Sequence, residues 1–457
     1  MYIKYYIIII LSFLCFFLPS SIDKKVLIED SIHNINITSI IYLAIIVIYG
    51  IISVIKASIV LAHNIYFTMA VLYVLINTGA NIILYPERFN TIVWAILALL
   101  VTLLSCIACL ASLLKLKHGF KLFFILSSSL SVFILAQEIY FGLIVSHAPY
   151  ITELVGPFGR IRTTIGAATA TGHLLFLFYV VNDAINGSSG SKAIVLFKLV
   201  TGLSILLTMT RSAILMLFIY ELTMILIKKD RKRRKLSYVP FILMIVIVFL
   251  IPVSTIDTML KRDYSKRLSY FDESVSLLKK DISYVSVGTG FGTNVYRDIY
   301  RIDNFEPTIN SLPVSPHNTF AAIMSELGVI GLFCFLLILI RVAIGYRRQR
   351  ISGGAFVVNN SNSKGLLLGL MIYAILGLNT ETLLYNEMGT SFAIIFFISC
   401  VYFRHLMERK RIGQMLEPRC PTKNCIRKPE LDNAKITDKE EVNFVLATNS
   451  FLGMLAE

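Results

Sequence analysis

Residues 91–114 read TIVWAILALLVTLLSCIACLASLL, a run without one charged side chain. As a helix it would be roughly 36 Å long at 1.5 Å per residue, enough to cross a bilayer core of about 30 Å. Lipid offers the backbone no hydrogen bonds, so a run of this kind is confined to a helix that satisfies its own amides. The same pattern recurs at 5–19, 38–55, 66–85, 120–146, 165–183, 193–209, 211–227, 238–253, 316–340, 365–379 and 386–404. With 56% hydrophobic and only 16% charged residues, the chain has too little polar surface for a wetted globular domain. The expectation is an all-α polytopic membrane protein with about 12 transmembrane helices. The first run follows Lys4, and no small-residue cleavage pattern follows LSFLCFFLPSS, so it reads as an uncleaved span.

Charge sets the orientation. KKDRKRRK, Lys228 to Lys235, carries seven positive side chains against Asp230 alone, which makes that loop cytoplasmic. Counting outward from it puts Lys115, Lys117, Lys121, Arg347, Arg348, Arg350 and the RHLMERKR run at 404–411 inside as well. Both termini then lie inside, and 147–164, 254–315 and 380–385 face outward. The net charge of +15 is therefore a topology signal, spread in short runs between spans, and no basic stripe for nucleic acid forms. Residues 1–404 read as the membrane domain and 405–457 as a basic cytoplasmic tail, too short and polar to be a catalytic domain.

The one larger outward-facing loop, 254–315, balances eight Lys/Arg with eight Asp/Glu. Within it RLSYFDESVSLL sets Leu268, Phe271, Val275 and Leu278 at roughly helical spacing, as in a helix lying on the membrane surface. VGTGFGTN follows, with Gly288, Gly290 and Gly292. A dinucleotide loop would need a surrounding βαβ unit, which is absent, so a tight turn is the reading. Cys15, Cys106, Cys109, Cys334 and Cys400 fall in apolar runs and Cys420 and Cys425 in the tail; no disulfide framework follows.

The candidate chemistry gathers at the outward side. In SPHNTFAAIMSELGVIG, Ser315 and Pro316 read as N-cap and first helical residue, which places His317 in the first turn. The helix dipole there disfavours added positive charge and leaves a neutral ring able to accept a proton. On a straight helix Ala321, Met324, Gly328 and Gly331 lie within about 40° of His317, a small-residue stripe for close helix approach. In TMTRSAIL, Arg211 falls at a tight turn between two runs, beside a helix start that Thr208 or Thr210 can cap, where guanidinium and dipole both attract anions. GPFGRIRTTIGAATATGH adds Arg160 and Arg162; Arg267 heads the amphipathic segment, and Glu381 lies in the turn NTETLLYN. Singly, each also fits a plainer role: an interfacial ring, a snorkelling arginine or a solvated charge. Together, arginines without paired carboxylates suit a diphosphate neutralised without metal, and no metal or other cofactor is expected.

PHNTFAAIMSELGVIG resembles the His-Asn, nine residues, Gly, two residues, Gly pattern of the O-antigen polymerase/ligase superfamily, on His317, Asn318, Gly328 and Gly331. TRSAIL resembles its Arg, three residues, Leu element, on Arg211 and Leu215. The resemblance runs from about 150 to 400. It implies a GT-C-like glycosyltransferase acting at the outer face of the bacterial cytoplasmic membrane on an undecaprenyl-diphosphate-linked oligosaccharide. Arg211 and Arg267 would then stabilise the departing diphosphate, and His317 would position or deprotonate an acceptor hydroxyl, with Arg160, Arg162, Asn318 and Glu381 as substrate-binding candidates. His173 stands where many relatives have asparagine and receives no role. A glycan acceptor, membrane lipids and a chain-length regulator or flippase are the implied partners, and nucleic acid is not one. Polymerase is favoured over ligase because the charge-balanced outer loop suits a hydrated glycan. A lipid-linked oligosaccharide flippase is the rival from another class, supported by Glu138 and Glu221 inside apolar runs.

Overall fold

A computed structural model describes residues 2–17, 37–51, 53, 65–86, 89–144, 151–155, 158–161, 163, 168–186, 191–227, 238, 241–242, 282–292, 318–348, 361–378 and 388–402. Its helices are α1 (Ile3–Phe17), α2 (Ile37–Tyr49), α3 (Ile65–Leu84), α4 (Phe89–Lys115), α5 (Gly119–Gln137), α6 (Ala168–Asn186), α7 (Lys192–Leu207), α8 (Arg211–Ile227), α9 (Ile282–Val287), α10 (Thr319–Arg348), α11 (Ser361–Ile372) and α12 (Met388–Tyr402). α5 continues into a π-helical stretch, Glu138–Ile144, and α11 into another, Tyr373–Gly377. Ala95–Lys115, Gly119–Phe141 and Ala168–Ile185 are long and apolar enough to cross a membrane; Thr319–Ile340 reaches the same length and composition only across a break at Gly328, and Ile3–Phe17, Ile40–Tyr49, Met69–Leu84, Lys364–Gly377 and Ser391–Val401 are shorter apolar helices. Ile76, Ile83 and Leu226 are more than two-thirds exposed, as side chains facing lipid would be. Of the expected span at 238–253 only 238 and 241–242 are described, and the amphipathic segment at 268–278 lies outside the described residues.

One addition interrupts the helical pattern. β1 (Ile151–Val155) and β2 (Phe158–Ile161) pair antiparallel, with Glu153 opposite Arg160, in a segment the sequence left as loop. The hairpin packs against the π-helical stretch after α5.

α6 is the centre of the bundle, 89% buried over its apolar window, and packs against α7, α8, α11 and α12. Its Phe178 belongs to an aromatic cluster built from five helices. Phe178 stacks on Phe13 of α1 at 5.4 Å, and Phe123 of α5 stacks on Phe396 of α12 at 5.4 Å. Phe392, one turn earlier, stacks on Tyr42 of α2 at 5.3 Å. Between lipid-embedded helices packing and polar contacts replace the hydrophobic drive, and the serine run of α5 supplies such contacts. Asn182 Nδ2 donates to Ser127 Oγ at 2.8 Å, Thr201 Oγ1 to Ser131 Oγ at 2.9 Å, and Ser204 Oγ to the Ser131 carbonyl at 3.2 Å. Cys15, Cys106, Cys109, Cys334 and Cys400 are thiols and form no disulfide with one another.

Candidate functional site

The turn between α7 and α8 places Arg211 as the first residue of α8, half-buried, as the apolar pattern required. Met209 reaches φ 49°, the left-handed region that a residue with a side chain seldom occupies. The turn is held there by its neighbours. Thr208 Oγ1 donates to the Ile205 carbonyl at 2.7 Å and accepts from the Thr210 amide at 3.3 Å. Thr210 Oγ1 donates to the Ala168 carbonyl at the start of α6 at 3.1 Å. Neither hydroxyl therefore caps α8 as the sequence suggested: both are committed to the turn and to α6, and Thr210 contributes its carbonyl, which accepts from the Ile214 amide at 3.0 Å. α6 can lie this close because Gly172 has no side chain; a Cβ there would stand 3.0 Å from both Thr208 Oγ1 and Ala213 Cβ. Beside it His173 Nε2 lies 2.8 Å from Ser212 Oγ, and the imidazole meets the Tyr373 ring edge-on at 5.8 Å. The residue given no role from sequence is thus the neighbour of the Arg211 platform. Thr163 Oγ1 and Thr171 Oγ1, 2.6 Å apart, bring the chain after the hairpin to the same end of α6. Arg160 is described as a backbone position in β2, leading toward that end; Arg162, Arg267, His317 and Glu381 lie outside the described residues.

The histidine motif departs from its expected form in two places. First, Asn318 Oδ1 accepts from the amides of Phe320 at 2.9 Å and Ala321 at 3.0 Å, so Asn318 is the N-cap of α10 and Ser315–Pro316 do not start the helix. His317 precedes the cap, and the first-turn argument for its neutrality does not hold. Second, α10 is not straight. Gly328 takes φ 68°, ψ −175°, and splits it into arms 319–327 and 329–348. In a straight helix Phe320 and Phe335 would sit roughly 22 Å apart along the axis. Their ring centroids are 6.0 Å apart, so the short arm folds back over the long one. The small-residue stripe counted from His317 is broken with it.

The break is closed by VGTGFG. The Thr289 amide donates to the Ser325 carbonyl at 2.9 Å and the Gly290 amide to the Glu326 carbonyl at 3.0 Å, while Tyr73 Oη donates to the Leu327 carbonyl at 2.5 Å. Those are the last three carbonyls of the short arm, which a helix end leaves unsatisfied. Asn77 Nδ2 donates to the Val287 carbonyl, and the Gly292 amide to Glu326 Oε2 at 2.9 Å. The contact needs glycine on both sides. A Cβ on Gly328 would lie 2.2 Å from the Ser286 carbonyl oxygen, and one on Gly288 2.3 Å from the Glu326 carbonyl carbon. Gly288, Gly290 and Gly292 all have positive φ, as the tight-turn reading implied. Ala213 and Met216, which follow Arg211 in α8, belong to the large buried cluster, while Ala322 and Leu327 of the short arm of α10 belong to a smaller one; Phe335 packs against both clusters.

The two intramembrane glutamates differ. Glu221 is answered by a lysine that the sequence reading passed over: Lys198 Nζ lies 2.7 Å from Glu221 Oε1 and 2.9 Å from Asp183 Oδ1. Tyr179 Oη donates to Glu221 Oε1 at 2.5 Å and Tyr220 Oη to Asp183 Oδ2 at 3.0 Å, so three helices share one buried network. Glu138, at the α-to-π junction, is 4% exposed; among the described residues neither oxygen makes a hydrogen bond of good geometry, and Ser204 is a side-chain donor close to it. No group of metal-ligating side chains occurs among the described residues.

Compared with known proteins, residues 196–336 match the family model described as O-antigen ligase. The match includes the Arg211 platform, the glycine turn and the broken part of α10, the features just derived from geometry. No curated protein matches the chain.

Proposed function

We propose, from the match of residues 196–336 to the family model described as O-antigen ligase, that the protein is a glycosyltransferase of the O-antigen polymerase/ligase superfamily that joins undecaprenyl-diphosphate-linked repeat units into surface polysaccharide. In this reading the reaction runs at the outer face of the bacterial cytoplasmic membrane. The observation that carries this reading is Arg211: a half-buried guanidinium heading a helix of 17 residues, inside the matched segment. A fork of N–H donors and the positive end of a helix dipole together favour a diphosphate oxygen.

In the reaction the acceptor hydroxyl oxygen bonds to the anomeric carbon of the donor sugar. The bond from that carbon to the diphosphate oxygen breaks, and the lipid diphosphate leaves with the electron pair. Arg211 and Arg267 stabilise the departing charge, which grows toward the transition state and so lowers the barrier. His317 takes the hydroxyl proton. Arg160, Arg162 and Glu381 bind donor and acceptor glycan. Asn318 contributes as the cap that fixes where the chain carrying His317 joins α10, since its side-chain Oδ1 is committed to the amides of Phe320 and Ala321. With cations supplied by arginine, the reaction runs without a metal.

Ligase is the second reading, favoured by the description of the matching family. It uses the same donor and differs in acceptor, lipid A core in place of another lipid-linked repeat. The flippase reading loses support at Glu221, which is held in a buried ion-pair network with Lys198 and Asp183. Deleting the gene separates the enzymes. Loss of a polymerase leaves surface lipopolysaccharide with a single repeat unit; bare core with long polymer stranded on undecaprenyl diphosphate overturns the polymerase reading in favour of ligase.

A further inference from the structure

We propose that His173 is a positioning residue for Arg211, acting through Ser212 to hold the first turn of α8 in register with its substrate. The inference rests on the reading of Arg211 as the diphosphate-binding cation.

The geometry leads there in three steps. The turn before Arg211 is held in a conformation it would not adopt alone, because Met209 sits at φ 49° without being glycine. Relaxation of that residue would rotate the start of α8 and move the guanidinium. The restraint against it comes from α6 at two points. One is the Thr210 hydroxyl on the Ala168 carbonyl, ahead of Arg211; the other is His173 on Ser212, immediately after it. Arg211 is thus bracketed on both sides by hydrogen bonds to one helix. Gly172 seats the bracket, since it lets α6 close to contact distance with Thr208 and Ala213.

A structural histidine would do as much by filling space, and the two roles differ in what replaces it. His173 is 1% exposed, with Leu174, Leu177, Ala393 and Ile394 close by, so leucine suits the surroundings. Leucine cannot bond to Ser212. The bonding atom is Nε2, the far nitrogen of the ring, and the terminal amide of glutamine reaches to the same distance from the backbone. Glutamine therefore restores the bond, whereas the shorter asparagine falls short of it.

The test uses the full-length protein in detergent, with variants His173→Gln, His173→Asn, His173→Leu, Ser212→Ala and the double variant His173→Leu with Ser212→Ala. The first readout needs no activity: hydrogen–deuterium exchange of peptides covering 206–216. Exchange should rise in the Leu, Asn and Ser212→Ala variants and stay at the wild-type level in the Gln variant. The second is glycan transfer from lipid-linked repeat units. Here kcat should fall at least about tenfold in the Leu and Ser212→Ala variants, as misplacement of a charge-stabilising group implies. The donor KM should move by less than about threefold, and the double variant should be no worse than either single one, because both remove the same bond. Wild-type exchange in His173→Leu, additive losses in the double variant, or a Gln variant as impaired as the Leu variant would each overturn the proposal. Absence of transfer by the wild-type protein would instead strike the reading of function, and the exchange data would still decide whether His173 holds the turn.

Discussion

Replacing Gly328 by alanine tests the broken helix at its joint. The added Cβ would lie 2.2 Å from the Ser286 carbonyl oxygen and 2.4 Å from its carbon, atoms of backbone that cannot rotate away. The conformation itself, φ 68° and ψ −175°, is a region used almost solely by glycine, so strain alone costs about 1–3 kcal/mol. Relieving the clash requires lifting the 286–290 segment off α10. That breaks the Thr289-to-Ser325 and Gly290-to-Glu326 hydrogen bonds, at about 1 kcal/mol each, and leaves buried carbonyls unsatisfied. The total is on the order of 3–6 kcal/mol, a large share of a typical folding free energy of about 5–15 kcal/mol. Gly79→Ala in α3 is the control, because a Cβ there meets nothing within 4 Å and alanine is the better helix former. Both proteins would be purified in the same detergent and melted by following aggregation or tryptophan emission. Gly79→Ala should match the wild type or exceed it slightly. Gly328→Ala should melt at least about 5 °C lower or fail to accumulate. A Gly328→Ala protein as stable as the control would refute the reciprocal-glycine contact and with it the folded-back arm.

Three further outcomes are expected. Lys198→Met strands two buried carboxylates and should destabilise by about 3–5 kcal/mol in detergent melts, whereas combining it with Asp183→Asn and Glu221→Gln should recover most of the loss. Glu138→Gln replaces a buried carboxyl that no cation pairs with among the described residues by a neutral isostere and should raise the melting temperature; a lower one would mean that the carboxylate has a stabilising partner. In a background without native cysteines, a thiol at Ser274 should react with an impermeant reagent in intact cells and one at Ser237 should not. The reverse pattern would invert the orientation read from Lys228–Lys235.

Hydropathy made the helices legible, since 211–227 and 193–209 differ from α8 and α7 by at most two residues at either end. It placed Arg211 correctly because a guanidinium between two apolar runs has few positions open to it. It could not see the break at Gly328, where both arms are apolar and the average stays high. The signal lay elsewhere, in two glycine-containing segments whose backbones touch across 40 residues of chain. The strand pair is readable from ITELV and FGRI on either side of the turn-forming sequence Gly-Pro, but the strands are short enough to pass for loop. Lys198 was missed for a different reason. A lysine inside an apolar run calls for carboxylates at similar depth, and hydropathy alone does not show that Asp183 and Glu221 lie there. Asn318 displaced Ser315 as cap because cap choice depends on which side chain reaches the first-turn amides, and serine before proline was only the more familiar pattern.

The most direct test of the account is glycan transfer by the purified protein, given undecaprenyl-diphosphate-linked repeat units in detergent with chelator present. The account predicts that the wild type releases one undecaprenyl diphosphate for each glycosidic bond formed. Arg211→Ala should lose at least about thirtyfold in rate, the equivalent of about 2 kcal/mol of transition-state stabilisation, and Arg211→Lys should remain impaired because it keeps the charge and loses the fork. Full activity in Arg211→Ala, or activity that disappears with chelator and returns with magnesium, would contradict it.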